Sequence, residues 1–261
     1  MALGILRRGA GPATAERQAR AERRMTAVEH LEELRRALIV SVVAWAAGIA
    51  VAGVFNHLLL SVLEYPLTRL LAQHNHLLSK PIITSPTELV TIPIEVAMVG
   101  GLVLALPVIL WQLWTFVAPG LRPVERRFAL PFVASALLLF AAGGCVAYFL
   151  MPLWLNLLTA IIGSNAVFFP DLNQYLSFLT LLIVAFGITF ELPIVIVLLG
   201  LLGVVSSAWL RRQRRWAWLV IVVGAELVTP GVDPVTPLFL AIPLLGLFEV
   251  SVLVLAKPLR R

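Results

Sequence analysis

The most constraining feature of this sequence is a succession of six long apolar runs separated by polar segments. The chain has 261 residues, of which 60% are hydrophobic, well above the roughly 45–50% typical of soluble domains. A helix rises about 1.5 Å per residue, so about 20 apolar residues cross a hydrocarbon core of about 30 Å. We therefore predict an all-α, polytopic membrane protein. Its predicted spans 1 to 6 cover Leu38–Phe55, Glu88–Val117, Phe128–Met151, Gln174–Val205, Trp216–Val228 and Pro237–Ala256.

The last two spans are predicted to be short. Span 5 provides at most about 20 Å of helix before a proline-rich turn, and Pro243 is predicted to interrupt span 6. A helix shorter than the hydrocarbon core requires the bilayer to thin, or water to enter, beside it. We therefore expect the six transmembrane helices to form a concave, cup-like arrangement with a wet recess next to helices 5 and 6.

The basic residues predict the orientation of the chain. All of them except Arg69 and Lys80 lie in the amino-terminal segment, in the loops after spans 2 and 4, or at the carboxyl end. By the positive-inside rule, both termini are cytoplasmic and the protein crosses the cell inner membrane six times. This orientation accounts for the net charge of +6 without a nucleic-acid partner. We predict a disordered basic tail over residues 1–24, a membrane domain over 25–256 and a basic tail over 257–261.

Residue patterns exclude several kinds of chemistry. The spans contain no histidine that could activate a serine and no aspartate pair, and the sequence has no H-E-x-x-H and no phosphate-binding glycine loop, so we predict neither an enzyme nor a cofactor. His57, His74 and His76 lack the spacing of a metal site, and the single Cys145 has no disulfide partner. An ion-coupled secondary transporter remains an alternative, because proline-broken helices and acids within spans are typical of that class.

Two acidic residues near the predicted cytoplasmic surface stand out. Glu125 is the only acid among three arginines in the loop Phe116–Arg127, where Pro119 and Gly120 stop the preceding helix. On the residues alone, Glu125 either pairs with a neighbouring arginine or caps the next helix. Glu33 lies in an amphipathic helix over Thr26–Leu38, and by itself would be an ordinary exposed helix charge.

Acids within the spans are a second group of candidates, because a charged group in hydrocarbon is costly. Glu191 precedes the helix-kinking Pro193 in span 4 and is a candidate functional acid. The alternative is a structural role, in which Glu191 is a neutral acid hydrogen-bonded between packed helices. Glu226 and Glu249 lie in spans 5 and 6, and the turn between those spans carries Thr229 and Asp233.

Several motifs resemble the TatC family, the polytopic subunit of the twin-arginine protein translocase. The matching patterns are H-L-x-E-L-R from His30, F-x-x-P-G-L-x-x-x-E-R from Phe116, F-G-x-x-F-E-x-P from Phe186, T-P-x-x-D from Thr229 and I-P-x-x-x-L-F-E from Ile242. The sequence departs from the family at Ala37, Glu95 and Pro237, and Glu226 has no counterpart in it.

The resemblance implies that the chain binds twin-arginine signal peptides and helps to export folded proteins using the proton-motive force. Glu33, Glu125, Arg35 and Phe116 would then form the signal-peptide site. Glu191, Thr229, Asp233, Glu226 and Glu249 would form an intramembrane polar site for partners. The expected partners are small single-span subunits like TatA and TatB, the lipid bilayer, and further copies of the chain.

Overall fold

The computed structural model describes residues 27–74, 80–121, 129–162, 170–228 and 236–256. In these ranges the chain is helical apart from its connections and one isolated parallel bridge between Ile82 and Asp171. The predicted all-α class is therefore confirmed. The helices are α1 (Ala27–Val54), α2 (Asn56–His74), α3 (Glu88–Val117), α4 (Ala129–Ile162), α5 (Leu172–Phe190), α6 (Leu192–Leu201), α7 (Ser207–Arg212), α8 (Arg214–Val228) and α9 (Thr236–Ala256).

Five helical segments in the described ranges are long and apolar enough to cross a membrane: Val28–Val54, Glu88–Gly120, Ala129–Leu157, Leu172–Leu201 and Pro237–Ala256. The first joins the predicted surface helix and span 1 into one continuous helix. As predicted for span 5, α8 is short. Its 15 residues give about 22 Å of helix, less than the hydrocarbon core of about 30 Å.

Two predictions at prolines were wrong. Span 3 was predicted to end at Met151, but α4 continues through Pro152 to Ile162. Met151 and Leu155 on either side are buried in the core, and Trp154 packs on Phe178 with ring centroids 4.4 Å apart. This packing offsets the one backbone hydrogen bond that a proline removes. Likewise, α9 runs through Pro243 without interruption.

The most extensive helix pairing among the described elements joins α1 to α3, which run antiparallel. Gly48 and Gly101 meet at their crossing, where a Cβ on Gly101 would lie only 2.5 Å from the Ile49 amide nitrogen. Because glycine has no side chain, the two backbones can touch at this crossing, as is common between membrane helices. The Trp45 indole donates to the Met98 carbonyl at 3.0 Å, next to this crossing.

A second close pairing joins α4 to α5. A Cβ on Gly143 would lie 2.5 Å from the Phe186 carbonyl oxygen, and a Cβ on Gly187 would lie 2.5 Å from the Phe140 ring. Phe186 and Gly187 belong to the F-G-x-x-F-E-x-P motif. The first half of that motif therefore has a packing role, because it lets α4 and α5 approach and seats Phe186 in the core.

Tyrosines attach α2 to the helices of the core. Pro66 lies inside α2 and has no N–H to donate to the Val62 carbonyl four residues earlier. The Tyr148 hydroxyl of α4 donates to that freed carbonyl at 2.8 Å. The Tyr175 hydroxyl of α5 donates to the next carbonyl, that of Leu63, at 3.1 Å. The proline in α2 is therefore accommodated by side chains from two neighbouring helices.

Candidate functional site

The end of α3 and the start of α1 meet at one face of the molecule. The His30 imidazole stacks on the Phe116 ring, with centroids 4.3 Å apart and planes 12° apart. Glu33 lies one turn further along α1, and its Oε2 is 3.6 Å from His30 Nδ1. This contact is an ion pair only when the imidazole is protonated, and it is too long for a good hydrogen bond. Two predicted residues, Glu33 and Phe116, are thus joined through His30, which the sequence reasoning did not select.

The Glu33 carboxylate is incompletely satisfied. Its Oε2 is buried and accepts no hydrogen bond from any described residue. Buried polar atoms normally have partners, and one without a partner requires an explanation. A carboxylate oxygen that is held in place without a donor is suited to receive one from a bound cation.

The other two predicted residues of this site are Arg35 and Glu125. Arg35 is exposed on α1. Glu125 lies outside the described residues, in the stretch between α3 and α4. As predicted, α3 stops before this stretch, and Ala118–Gly120 form one turn of 3₁₀ helix. Leu121 is then buried among Trp114, Val133 and Leu198, so the last described residue of this segment is fixed in the core.

Glu191 lies at a break in the fourth membrane segment. The helix α5 ends at Phe190, α6 begins at Leu192, and Glu191 between them is the cap residue of both. Pro193 cannot donate to the Thr189 carbonyl, and at the break the Glu191 amide donates to the carbonyls of Ile188 and Thr189. Glu191 Oε1 is buried and has no hydrogen-bond partner among the described residues. The break therefore places a carboxyl oxygen that has no partner among the described residues at the junction of two helices inside the membrane segment.

Glu249 forms an ion pair with Arg214, which attaches α9 to the start of α8. Its other oxygen, Oε1, is buried without a partner in the described part of the chain. Glu226 is exposed on α8, whereas Thr229 and Asp233 lie outside the described residues. The structure thus connects Glu249 to Arg214 at the start of α8, and no hydrogen bond or ion pair links Glu249 to Glu191 or Glu226.

Sequence reasoning missed the polar contacts of Glu95. This residue of α3 was noted only as a departure from the family. Its carboxylate accepts hydrogen bonds from two side chains of α5, the Ser177 hydroxyl at 2.7 Å and the Thr180 hydroxyl at 2.8 Å. Ser177 and Thr180 are three residues apart and so lie on one helix face. That spacing, opposite an acid in another span, is the signal that could have identified the contact.

A second missed cluster ties the segment before α3 to α5. Glu88 is only 6% exposed, and it accepts from the Thr84 amide at 3.2 Å. The Thr84 hydroxyl lies 2.7 Å from Glu88 Oε1 and 2.7 Å from Asp171 Oδ2. Asp171 also caps α5 by accepting from the Gln174 amide at 2.8 Å. These acids are held by neighbours, in contrast to Glu33 and Glu191.

Comparison with known proteins places this architecture in a family. The sequence profile of the Sec-independent protein translocase protein (TatC) matches residues 29–243. The TatC protein of Koribacter versatilis is 37% identical over 230 residues, which are 87% of this chain and 84% of that protein. The TatC protein of Carboxydothermus hydrogenoformans is 36% identical over 231 residues, covering 88% and 92% of the two chains.

Solved structures give the same result. A crystal structure of TatC, the twin-arginine translocase receptor, matches with a TM-score of 0.75 at 35% identity, over 86% of this chain and 97% of that one. A second, in DDM, has a TM-score of 0.77 at 35% identity over 87% and 99% of the two chains. The chain therefore belongs to the TatC family, and is a multi-pass core subunit of the twin-arginine protein translocase.

Proposed function

We propose that this translocase subunit receives the paired arginines of signal peptides at the surface around Glu33 and Phe116, with Glu125 and Arg35 beside it. The observation that carries the proposal is the buried Glu33 Oε2, which accepts no hydrogen bond from the described residues and lies beside the His30–Phe116 stack. A guanidinium group offers a planar fork of donors that matches a carboxylate, whereas the lysine ammonium is a point charge. Folded cargo proteins bearing such peptides are the proposed substrates.

Crosslinking of a twin-arginine signal peptide to membranes containing the full chain tests this site. A hydrogen bond to a charged group contributes about 1.5–3 kcal/mol, so Glu33→Gln should weaken peptide binding by roughly 10- to 150-fold. Glu125→Gln should weaken it in the same way. Glu32→Gln is the matched control, because Glu32 is the exposed neighbour on the same helix.

The outcome also depends on the peptide. A twin-lysine peptide should bind weakly to the wild-type chain and lose little further affinity in Glu33→Gln. Equal binding of the twin-arginine peptide by the wild type and the Glu33→Gln, Glu125→Gln double variant would reject the site.

The topology completes the proposal. Both termini lie in the cytoplasm, six helices cross the inner membrane in a concave arrangement, and residues 1–24 and 257–261 are tails of a membrane domain over 25–256. The basic residues of the loops after spans 2 and 4 support this orientation.

In a Cys145→Ala background, a cysteine at Gln213 should react with an impermeant reagent only after the membrane is opened, and one at Ser164 should react in intact cells. The reverse labelling would contradict the orientation.

Glu191 is the proposed intramembrane contact for transport, together with Glu249, Glu226, Thr229 and Asp233. Small single-span subunits and further copies of the chain are the proposed partners, and the proton-motive force is the proposed energy source. The support is the buried Glu191 Oε1 at the α5–α6 break, which has no hydrogen-bond partner among the described residues. Export of a folded reporter by Glu191→Gln and Glu191→Leu separates the roles: failure of both indicates proton transfer, whereas failure of the leucine variant alone indicates a polar contact. Normal export by Glu191→Leu excludes a role in transport.

A further inference from the structure

The segment from Trp209 to Trp218, here called the arginine–tryptophan segment, connects the fourth membrane segment to α8. It contains four arginines and three tryptophans within ten residues. The tryptophan side chains are exposed, Trp216 by 66%, Trp209 by 51% and Trp218 by 47%. Large exposed indoles beside cations are unusual on a surface that faces only water, because tryptophan prefers the boundary between hydrocarbon and water.

The four arginines are not equivalent. Arg214 pairs with Glu249 of α9, so its charge is already balanced within the protein. Arg211, Arg212 and Arg215 are exposed, and no hydrogen bond or ion pair joins them to a described residue. The structure thus reduces a run of four arginines to three available cations.

The local fold fixes how these side chains are presented. Gly203, with φ of +77°, lets the chain turn after α6, and the Ser206 hydroxyl caps α7 by accepting from the Trp209 amide at 3.2 Å. Leu210 is buried and anchors α7 to the core. Within α7, Trp209 and Arg212 are three residues apart, so they lie on one face of the helix.

The same pairing recurs at the start of α8. Arg215 and Trp218 are also three residues apart, and Trp218 borders the packed side of this helix, which contains Ile221 and Ala225. The exposed side continues as an apolar strip consisting of Leu219, Val220, Val222 and Val223, and the partner candidate Glu226 lies on the same side near the far end of the helix. An apolar exposed strip on a helix of a membrane protein faces lipid tails, so the arginines and tryptophans at the end of that strip lie at the level of the lipid headgroups.

We propose that the arginine–tryptophan segment binds the phosphate headgroups of anionic phospholipids. Arg211, Arg212 and Arg215 donate to the phosphate oxygens, for which a guanidinium fork is well suited. The three indoles lie against the glycerol region and hold the segment at the membrane surface. The occupant is a lipid because the cations lie at the end of a lipid-facing strip, which neither free phosphate nor an acidic protein segment would require.

Native mass spectrometry of the purified full chain, titrated with phosphatidylglycerol and separately with phosphatidylcholine, tests the proposal. Electrostatic attraction of basic residues to an anionic leaflet gives about fivefold per arginine. The triple variant Arg211→Gln, Arg212→Gln, Arg215→Gln should therefore lose roughly 100-fold in phosphatidylglycerol affinity, while phosphatidylcholine binding stays the same. Far-ultraviolet circular dichroism verifies that the variant keeps its helices.

Two matched controls separate this segment from general charge effects. The double variant Arg214→Gln, Glu249→Gln removes one cation and one anion from the same region and should retain phosphatidylglycerol binding. The double variant Arg35→Gln, Arg36→Gln removes exposed arginines of α1 and should also retain it. Loss of affinity equal to that of the triple variant in either control would refute a specific site.

Competition experiments distinguish the possible occupants. Millimolar inorganic phosphate should not displace phosphatidylglycerol, and displacement would indicate a site for free phosphate. An acidic peptide should compete poorly. A peptide that binds more tightly than phosphatidylglycerol, and loses that binding in the triple variant, would identify a protein partner in place of the lipid. Unchanged phosphatidylglycerol affinity in the triple variant would overturn the proposal outright.

Discussion

The crossing of α1 and α3 at Gly48 and Gly101 allows a stability prediction to be worked from the structure. Ordinary contact of a Cβ begins near 3.4 Å, whereas a Cβ on Gly101 would lie 2.5 Å from the Ile49 amide nitrogen. The obstructing atom belongs to the backbone of a helix and cannot rotate away. The variant Gly101→Ala must therefore push the two helices apart by about 0.9 Å.

Two opposing contributions set the size of the effect. Overpacking of a well-packed contact costs about 1–3 kcal/mol. Replacing glycine with alanine inside a helix contributes about 0.5–1 kcal/mol in the other direction. We expect Gly101→Ala to lower the free energy of unfolding by about 0.5–2 kcal/mol. Gly48→Ala should behave alike, because its Cβ would overlap the Gly101 carbonyl oxygen.

Reversible unfolding in mixed micelles, followed by circular dichroism, measures this change. Gly53→Ala is the matched control, because Gly53 lies on the same helix as Gly48 and a Cβ there has nothing within 4 Å. The control should be neutral or stabilising by up to about 1 kcal/mol. If Gly101→Ala and Gly53→Ala have the same free energy of unfolding, the helices do not cross through their glycines.

The same variant reports on the candidate site. Glu33 and Phe116 each lie about four helical turns from this crossing, at the ends of α1 and α3 that meet through His30. Separation of the helices at the crossing should displace one of these ends relative to the other. Signal-peptide crosslinking should therefore fall in Gly101→Ala and remain unchanged in Gly53→Ala.

Two further predictions concern hydrogen bonds between helices. The double variant Ser177→Ala, Thr180→Ala leaves the Glu95 carboxyl without its donors and should lower the free energy of unfolding by about 1–3 kcal/mol. Adding Glu95→Leu should restore most of that loss. If the triple variant stays as unstable as the double variant, this contact is not what stabilises the α3–α5 pair. Tyr148→Phe leaves the Val62 carbonyl without its donor and should cost about 0.5–1.5 kcal/mol, measured by the same unfolding assay, and no change would mean that water replaces the hydroxyl.

The membrane segments could be predicted from sequence because the hydrocarbon core imposes their length and polarity. The bounds of α3 match the prediction for span 2, and the shortness of α8 followed from the distance between Trp216 and the turn at Thr229. The prediction failed at Pro152, where burial of Met151 and Leu155 sustains α4. Proline removes one hydrogen bond, and whether packing offsets that loss depends on neighbours that a single sequence does not reveal.

Contacts between distant residues could not be predicted for the same reason. The bonds from Ser177 and Thr180 to Glu95 join positions that lie 82 and 85 residues apart. Nothing in local periodicity indicates which helix faces which. Glu33 and Phe116 were grouped only because the motifs resembled a family, and their connection through His30 came from the structure.

The acids of the chain divide by how well they are satisfied. Glu95 and Glu88 accept hydrogen bonds from hydroxyl and amide groups of neighbouring segments. Their carboxylates therefore have donors within the folded chain. In the described part of the protein, the buried side-chain atoms without a hydrogen bond are oxygens of Glu33, Glu191 and Glu249. All three had been selected from the sequence as binding candidates.

Leaving a buried acceptor unpaired costs about 1–3 kcal/mol, so a fold that needed these carboxyls only for stability would supply donors, as it does for Glu95. This contrast supports the proposal that the unpaired oxygens of Glu33 and Glu191 accept from groups outside the described residues, a peptide guanidinium at the first and a partner or proton at the second. Glu249 differs, because its Oε2 already pairs with Arg214. This ion pair connects α8 to α9, and only Oε1 of Glu249 has no hydrogen-bond partner among the described residues. A donor supplied in trans to Glu33 should raise the free energy of unfolding as its concentration rises, so a twin-arginine peptide should stabilise the wild-type chain in the micelle assay and should not stabilise Glu33→Gln.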